Sequence, residues 1–445
     1  MSAPNLPLNL RPSILNRREA RPVTYPTAPK SFLHAAQRRT NPLRIALVGN
    51  HLPRQCGIAT FTTDLCDAVA SEFGAARVFV VAVNDSAARY SYPARVRLEI
   101  AQNDPLSYRK AADSLNSSDV DVVCLQHEYG IYGGAAGSYV LELLKNLKMP
   151  VVTTLHTVLR EPDAAQRAVM QEIARLSERL IVMSEHSSQL LRLVFGVPVE
   201  KIEVIPHGIP ALPFADANSY KESFSICGKT VMLTFGLLSP NKGFESVIRA
   251  LPSILSRRKD VVYIIAGATH PLVKLREGDR YRLQLEAQAR ELGVEKNVVF
   301  HNRFFTPQEM AALVGAADIY ITPYCHEAQA VSGTLAFALG AGKAIISTPY
   351  WHASELLGDG RGKLVPFEDA GAIASATIEL LENDAACQQM RRLAFLYGRN
   401  MVWSRVAHSY MQAFTDTSAD ATQPVRLGFS VQTAERNIAS RLARA

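Results

Sequence analysis

Short apolar runs rich in β-branched residues alternate with amphipathic stretches along most of the chain. The apolar runs are continuous rather than alternating, which is typical of parallel strands covered by helices on both faces. The first half therefore reads as a doubly wound α/β domain. Its predicted strands are Leu43–Asn50, Arg77–Asn84, Arg95–Ile100, Val120–His127, Val151–Val158, Leu180–Ser184 and Ile202–His207. Helices are predicted from Ile58 onward, over Ala135–Leu147 and over Pro162–Glu178.

A proline-rich polar break near residues 206–224 separates this series from a second one of the same kind. We expect a first domain at 42–208, a linker at 209–224, a second domain at 225–400, a helix at 401–415 returning to the first domain, and tails at 1–41 and 416–445. The second series predicts strands at Val231–Gly236, Val261–Gly267, Asn297–His301, Asp318–Tyr324 and Ala344–Thr348. It predicts helices at Phe244–Arg258, Tyr281–Leu292 and Pro307–Ala316.

Composition agrees with a globular protein of two domains. The chain has 445 residues, 48% of them hydrophobic, and a mean hydropathy of +0.01. It lacks an apolar run of roughly 18 residues, so the sequence predicts no membrane-spanning helix. The cysteines are far apart and form no C-x-x-C pair, which favours free thiols in a reducing cytoplasm. They are Cys56, Cys66, Cys124, Cys227, Cys325 and Cys387.

The net charge of +7 is concentrated at the N-terminus. Residues 1–41 hold seven Arg or Lys, one Glu and six prolines, so we expect a disordered basic leader. A solvated tail is the plainest interpretation; an anionic membrane surface, nucleic acid or a transit role are the alternatives. We expect a cytoplasmic protein without a nucleic-acid partner, and leave open peripheral contact with the inner face of the membrane.

The stretch Asp318–Tyr350 carries the clearest candidate site. It reads as strand, loop, helix and strand, with Glu327 and Gln329 in the loop and Ser332–Thr334 where the helix begins. The free N–H groups of a helix N-terminus at the carboxyl edge of a parallel sheet suit an anion. The sequence thus indicates a phosphorylated ligand, although an ordinary βαβ unit with glycines for close packing is the alternative.

A second loop, Gly236–Gly243, follows a predicted strand and precedes a predicted helix. Lys242 lies beside a glycine there, where its charge can neutralise a diphosphate. The spacing differs from that of a P-loop, which requires G-x-x-x-x-G-K-S/T. Because this loop and Ser332–Thr334 are expected on one sheet edge, together they predict a site for a nucleotide-diphosphate sugar.

Four loops of the first domain also follow strand ends. Asn50–Gly57 offers a glycine where a substrate can approach the backbone, and His127 and Glu128 come directly after a buried strand. His156 lies inside the end of the next predicted strand, where either a structural or a ligand-binding role is open. Ser184 is predicted to cap the helix that follows it.

These residues resemble the retaining family 4 glycosyltransferases of the GT-B architecture, in which two Rossmann-like domains face a cleft. The resemblance covers roughly residues 43–415. It is carried by Gly236–Gly243, Ala317–Pro323, Gly342–Thr348, the Gly loop after the first strand, His156 and Ile205–Gly208.

The resemblance implies sugar transfer from a nucleotide-diphosphate donor to a glycan or lipid-linked hydroxyl, with retained configuration, no cofactor and no required metal. It makes the first domain the acceptor domain and the second the donor domain. The implied catalytic residues are His156, Glu327 and Lys242. The implied donor-binding residues are Gly236, Lys242, Gln329, Ser332, Gly333 and Thr334. The acceptor side is expected to use Gly57, His127 and Glu128.

The sequence departs from the family pattern at three places. The family usually has an arginine four or five residues before its phosphate-binding lysine, and here that place reads Leu237. The family also places two glutamates eight residues apart. Alignment through the Gly-Lys run puts Gln329 and Phe337 there, and counting from Glu327 leads to Leu335, so the second acid is missing either way.

These departures leave two alternatives to an active transferase. One is a catalytically weak or inactive protein that binds nucleotide sugars. The other is a GT-B phosphorylase or an epimerase, although a phosphorylase should carry more basic residues around its phosphate than the Lys242 loop shows.

Overall fold

Two parallel β-sheets, of seven and six strands, form the framework of the chain in this computed structural model, which describes residues 42–85 and 90–422. The first sheet contains β1 Ile45–Gly49, β2 Val78–Asn84, β3 Val96–Ala101, β4 Val122–His127, β5 Val151–Leu155, β6 Arg179–Val182 and β7 Ile202–Val204. The second contains β8 Thr230–Phe235, β9 Val261–Ala266, β10 Val298–His301, β11 Ile319–Thr322, β12 Ala344–Ser347 and β13 Lys363–Leu364.

Helices connect these strands. They are α1 Gly57–Phe73, α2 Pro105–Asn116, α3 Val140–Leu144, α4 Ala164–Leu176, α5 Glu185–Phe195, α6 Asn218–Lys221, α7 Phe244–Arg257, α8 Pro271–Glu277, α9 Arg280–Glu291, α10 Pro307–Ala316, α11 Gly333–Gly340, α12 Trp351–Leu356, α13 Ala370–Glu382, α14 Asp384–Gly398 and α15 Trp403–Thr422. The predicted fold class, two doubly wound parallel-sheet domains, is therefore confirmed.

Strand order identifies where each sheet can bind a ligand. The first sheet runs β3-β2-β1-β4-β5-β6-β7 and the second β10-β9-β8-β11-β12-β13. The order reverses between β1 and β4 in one sheet and between β8 and β11 in the other. Ligands of open α/β sheets bind beyond the strand ends at such reversals. The loops that the sequence singled out after β1, β4, β8 and β11 lie at these two places.

Each sheet is buried on both faces, as its continuous apolar strands require. In β8, Val231, Leu233 and Phe235 join one hydrophobic core while Met232 joins the core on the opposite face. Burying an aliphatic or aromatic side chain of this size stabilises the fold by about 1.5–3 kcal/mol. Among the described helices, none has both the length and the apolar composition needed to cross a membrane.

The predicted helix Ala135–Leu147 is wrong in its first half. Residues Ala135–Gly137 form a 3₁₀ turn, and α3 covers only Val140–Leu144. Gly134 and Gly137 both have positive φ, and so does Ala136 between them. A left-handed backbone cannot continue an α-helix.

The chain crosses between the two domains twice, and the crossings are hydrogen-bonded to each other. Ile209 donates to Met401 and accepts from Trp403, each at 2.9 Å. The helix that follows, α15, packs on α1 and the first sheet, where the Tyr410 hydroxyl lies 3.0 Å from that of Thr154. It extends to Thr422, beyond the expected end at residue 415, because residues 417 and 418 are still buried.

The segment expected as a linker, 209–224, is only partly one. Its second half forms α6, which packs on α10. Lys221 in α6 is buried and pairs with Asp318 at 2.8 Å, so this part belongs to the second domain. The expected leader 1–41 and the tail beyond 422 lie outside the described residues.

Candidate functional site

Lys242 and the N-terminus of α11 meet at the carboxyl edge of the second sheet. The Lys242 ammonium donates to the Tyr324 hydroxyl at 2.5 Å and lies 4.0 Å from the centre of its ring. The same hydroxyl is 3.4 Å from Ser332 Oγ and 3.5 Å from Thr334 Oγ1. We call these four side chains the Lys242 cluster. The two loops expected on one sheet edge thus share one polar centre.

Glycines allow the loops to approach so closely. Gly243 has a φ of +71°, and a Cβ there would lie 2.0 Å from the carbonyl oxygen of Pro323. Gly236, another predicted donor residue, lies against Thr334, whose methyl carbon is 3.3 Å from the position of a Cβ. The 3₁₀ turn Pro240–Lys242 then places the lysine over Tyr324.

Two backbone N–H groups at the N-terminus of α11 are candidates for binding an anion. The Ser332 side chain accepts from the Leu335 N–H at 3.3 Å as the helix cap. The Ser332 N–H donates to Nδ1 of His352 at 2.9 Å. Within the described residues, the N–H groups of Gly333 and Thr334 donate to no protein acceptor. These two amides, rather than all three expected ones, are open to an anion.

His352 holds the loop before α11 at two points. Besides accepting from Ser332, its backbone N–H donates to the Gln329 carbonyl at 3.3 Å. Burial, with a smaller contribution from His207, lowers the pKa of His352 to about 3. The ring is therefore neutral at pH 7, as an acceptor must be. No sequence spacing pointed to this histidine.

Tyr324 is another residue of the site that the sequence did not predict. Its side chain is 4% exposed, and its ring stacks on Tyr350 with centroids 4.8 Å apart. Burial raises the pKa of Tyr324, but the charge and hydrogen bond of Lys242, with the Ser332 and Thr334 hydroxyls, outweigh it and lower the pKa overall. The phenol is thus a strongly polarised member of the cluster.

His156 directly follows β5, at the carboxyl edge of the first sheet. Its Nε2 is 3.0 Å from Oε1 of Gln126, and its ring packs on the edge of Phe61 at 4.8 Å. Burial lowers its pKa to about 3, with smaller contributions from His207 and His127. His156 is therefore neutral at pH 7.

His207 lies between His156 and the N-terminus of α11. Its ring packs on Phe61 at 5.1 Å, and its Nδ1 donates to the Gly208 carbonyl at 2.7 Å. A Cβ on Gly333 would lie 2.7 Å from its Nε2. His156 and the N-terminus of α11 are thus linked through Phe61 and His207.

The expected acceptor residues differ in their surroundings. Gly57 opens α1, and a Cβ there would meet no atom within 4 Å, so this backbone is accessible. His127 is instead fully buried, its ring 4.9 Å from that of Tyr129, and neither ring nitrogen has a hydrogen-bond partner in the described part of the chain. The Glu128 carboxylate is hydrogen-bonded to neighbours in the first domain. It accepts from the Tyr129 N–H at 3.0 Å and from the Thr157 hydroxyl at 2.5 Å.

The Glu327 side chain bonds to the first domain rather than to the Lys242 cluster. Its carboxylate pairs with Arg160 of the first domain at 2.7 Å, and its side chain is 56% exposed. Within the described residues no hydrogen bond joins it to the cluster. Gln329 uses its amide to donate to the Val331 carbonyl at 2.6 Å. Position 337, where the family pattern has a glutamate, holds a phenylalanine and supplies no carboxylate to the site. Phe337 packs on Phe235 with ring centroids 5.8 Å apart.

Contacts between the domains surround this region. Glu355 at the end of α12 accepts from the backbone N–H groups of Glu185 and His186, at 2.9 and 3.3 Å, and so caps α5 of the other domain. Trp351 lies 4.3 Å from the His186 ring and 4.7 Å from the Arg160 guanidinium. The loops that follow the strand ends of both sheets therefore face and touch each other. Ser184 caps α5 as predicted.

Two family models match the chain, one in each domain. Residues 56–211 match "Glycosyltransferase Family 4", and residues 229–383 match "Glycosyl transferases group 1". The matched regions contain Gly57, His127, Glu128 and His156 in the first domain, and the Lys242 cluster in the second.

Curated relatives and solved structures agree with these matches. The chain is 28% identical over 286 residues to the phosphatidyl-myo-inositol mannosyltransferase of Mycolicibacterium smegmatis, covering 63% of this chain and 67% of the relative. The Mycobacterium tuberculosis protein of that name is 28% identical over 320 residues, 70% of this chain and 77% of the relative.

Among solved structures, Anabaena HepE in complex with UDP superposes with a TM-score of 0.66 at 16% identity, covering 84% of this chain and 100% of that one. The sucrose-phosphate synthase of Thermosynechococcus elongatus gives 0.70 at 15% identity, covering 85% and 100%. At these identities the likeness concerns the fold, and that fold is GT-B.

Proposed function

Because the chain belongs to the family 4 glycosyltransferases with the GT-B fold, we propose that it transfers a hexose from a nucleotide-diphosphate donor to a hydroxyl group with retention of configuration. The observation that carries the proposal is the Lys242 cluster. The Lys242 ammonium and the hydroxyls of Ser332 and Thr334, at the N-terminus of α11, converge on one tyrosine hydroxyl.

The cluster suits the leaving group of this reaction. The nucleoside diphosphate gains negative charge as the glycosidic bond breaks. Lys242 and the N–H groups of Gly333 and Thr334 are fixed donors for that charge, and fixed donors need no reorganisation during the reaction. The proposal therefore involves no metal. Loss of transfer in EDTA with recovery in Mg²⁺ would contradict this part.

His156 and the first domain would hold the sugar. Nε2 of His156 faces the Gln126 side-chain oxygen, so it carries the proton and Nδ1 is left as an acceptor. A sugar hydroxyl can donate to that nitrogen. Contacts between facing loops exclude water, which would otherwise compete with the acceptor. Gly57 leaves open backbone on the acceptor side.

The relatives suggest substrates to examine first. Their names describe mannosyl transfer to phosphatidyl-myo-inositol, and one further relative is GDP-mannose-dependent. We propose a nucleotide-diphosphate hexose, with GDP-mannose as the first donor, and a glycan or lipid-linked polyol as acceptor. A lipid-linked acceptor would bring the protein to the membrane surface as a peripheral partner.

A donor panel tests the proposal. The chain would be incubated with GDP- and UDP-hexoses and with polyol, oligosaccharide and phosphatidylinositol acceptors, and NMR would give the anomeric configuration of the product. Lys242→Met should lower turnover by two or more orders of magnitude, because it removes a cation from a charge-developing site. The exposed Lys296→Met is the matched control and should leave turnover unchanged. An inverted product, or unchanged turnover in Lys242→Met, would contradict the assignment.

A binding protein without transferase activity is the second candidate. It is favoured by the engagement of Glu327 with Arg160 and by the absence of acids at positions 329 and 337. Saturable binding of GDP or UDP with no transfer and no hydrolysis across the panel would establish it.

A further inference from the structure

The loop Gly236–Gly243 has one basic residue where the family resemblance expects two. Leu237 stands in the place of the arginine, so Lys242 is the only basic residue of the loop Gly236–Gly243. A lysine is a flexible cation, whose side chain loses rotamer freedom when it is fixed. A site that relies on one lysine gains from any group that fixes it beforehand.

Tyr324 fixes this lysine in two ways. Its hydroxyl accepts from the ammonium at 2.5 Å, and its ring face lies 4.0 Å from the same nitrogen. A cation over the face of an aromatic ring is attracted to it, more strongly where water is excluded. The ammonium is thus held at the carboxyl edge of the sheet rather than extended into solvent.

The tyrosine is itself rigid. It is stacked on Tyr350, whose hydroxyl lies 3.1 Å from that of Thr322. Having accepted from Lys242, the Tyr324 hydroxyl can donate its own proton to Ser332 or Thr334, which lie 3.4 and 3.5 Å away. Tyr324 therefore joins Lys242 to the two side chains that flank the open amides of α11.

We propose that Tyr324 is a positioning residue for the donor diphosphate, which holds the Lys242 ammonium beside the N-terminus of α11 so that one prearranged cation serves where related sites use two. This rests on the proposed function. The ligand class is a pyrophosphate group, and the tyrosine acts through the lysine rather than by a contact of its own.

A double-mutant cycle tests this. Calorimetry would measure binding of GDP, UDP and inorganic pyrophosphate to the full chain and to Tyr324→Phe, Lys242→Met and the double variant. Tyr324→Phe should weaken binding about tenfold, because the Lys242 ammonium loses its hydrogen bond to the phenol and is no longer held in place. In the Lys242→Met background, Tyr324→Phe should have no further effect. Wild-type affinity in Tyr324→Phe, or effects that multiply in the double variant, would overturn the proposal.

Two controls separate positioning from loss of structure. Phenylalanine keeps the stacking on Tyr350 and the ring under the ammonium, so the melting temperature should stay near that of the wild type. Tyr397→Phe, on the surface of the second domain, should leave binding unchanged. In a transfer assay Tyr324→Phe should raise the KM for the donor and leave the KM for the acceptor unchanged, whereas a general defect changes both.

Pyrophosphate keeps this test distinct from that of the proposed function. If the wild type binds pyrophosphate but no nucleotide, the proposed function fails, and the cycle measured with pyrophosphate still decides the role of Tyr324. If the wild type binds none of the three, both proposals are overturned.

Discussion

Arg160 of the first domain and Glu327 of the second form an ion pair between the domains, with Nη1 of Arg160 2.7 Å from Oε1 of Glu327. The two side chains are 47% and 56% exposed, and the guanidinium also covers the Trp351 ring. An exposed pair of this kind contributes about 0–1 kcal/mol to stability. Its importance therefore lies in where it places the Glu327 carboxylate, which it holds at the boundary of the domains.

Glu327→Gln and Arg160→Gln should separate a catalytic carboxylate from a simple contact. Both should leave the melting temperature almost unchanged, because the pair is exposed. If Glu327 holds a sugar hydroxyl during transfer, Glu327→Gln should lower turnover more than tenfold and Arg160→Gln by less. Equal losses in the two variants would show that the contact between the domains matters, and that the carboxylate has no role of its own. Steady-state kinetics with the active donor would measure this.

Gly333→Ala should damage the donor site through His207. The added Cβ would lie 2.7 Å from Nε2 and 3.0 Å from Cε1 of His207, which packs on Phe61, so the ring has to move. Such overpacking typically costs about 1–3 kcal/mol. We expect a lower melting temperature and at least tenfold weaker binding of GDP or UDP, measured by calorimetry.

Gly130→Ala is the matched control, since a Cβ there meets nothing within 4 Å. It should retain wild-type stability and binding. Wild-type nucleotide affinity in Gly333→Ala would mean that the start of α11 tolerates displacement and that the diphosphate lies elsewhere.

The hydrophobic pattern was sufficient to predict the fold because strands buried on both faces leave continuous apolar runs. The start of α11 was equally readable, since Ser332 is a helix cap in sequence and in structure. Helix α12 was missed: Trp351–Leu356 is too short to show a helical period. The left-handed turn at Ala136 was missed because alanine gives no signal of it.

The site was predicted in outline and missed in its contacts. Lys242 and Ser332–Thr334 could be placed on one sheet edge because topology brings strand ends together. No spacing shows that His352 accepts from an amide twenty residues earlier in the chain, or that Arg160 reaches Glu327. These contacts depend on how loops of different strands pack. The same packing buries His127, the last residue of β4, and its role on the acceptor side stays a prediction.

Stability should fall as the solution is acidified, because several histidines are buried in neutral form. Burial lowers the pKa of His127, His156 and His352 to about 3 and that of His207 to about 4. In the unfolded chain a histidine takes up its proton near pH 6.5. Between about pH 6.5 and pH 4 the unfolded state therefore binds more protons, and the free energy of unfolding falls as the pH falls.

The expected slope is on the order of 1 kcal/mol per pH unit for each buried histidine. Asp64 acts in the opposite sense, because burial raises its pKa to about 6, and it offsets part of the loss. Urea unfolding at a series of pH values would measure the slope. A free energy of unfolding that stays constant from pH 7 to pH 4.5 would contradict the prediction.

His352 offers the most specific test of what positions the loop before α11. His352→Asn keeps an acceptor that can reach the Ser332 N–H, whereas His352→Leu leaves this buried amide unpaired, at a cost of about 1–3 kcal/mol. We expect Asn to retain most of the nucleotide affinity and Leu to lose about tenfold or more, measured by calorimetry with GDP and UDP. His326→Leu in the exposed part of the same loop is the control and should bind like the wild type. Equal losses in the Asn and Leu variants would show that the size of the ring, and not its acceptor nitrogen, positions Ser332 and the amides beyond it.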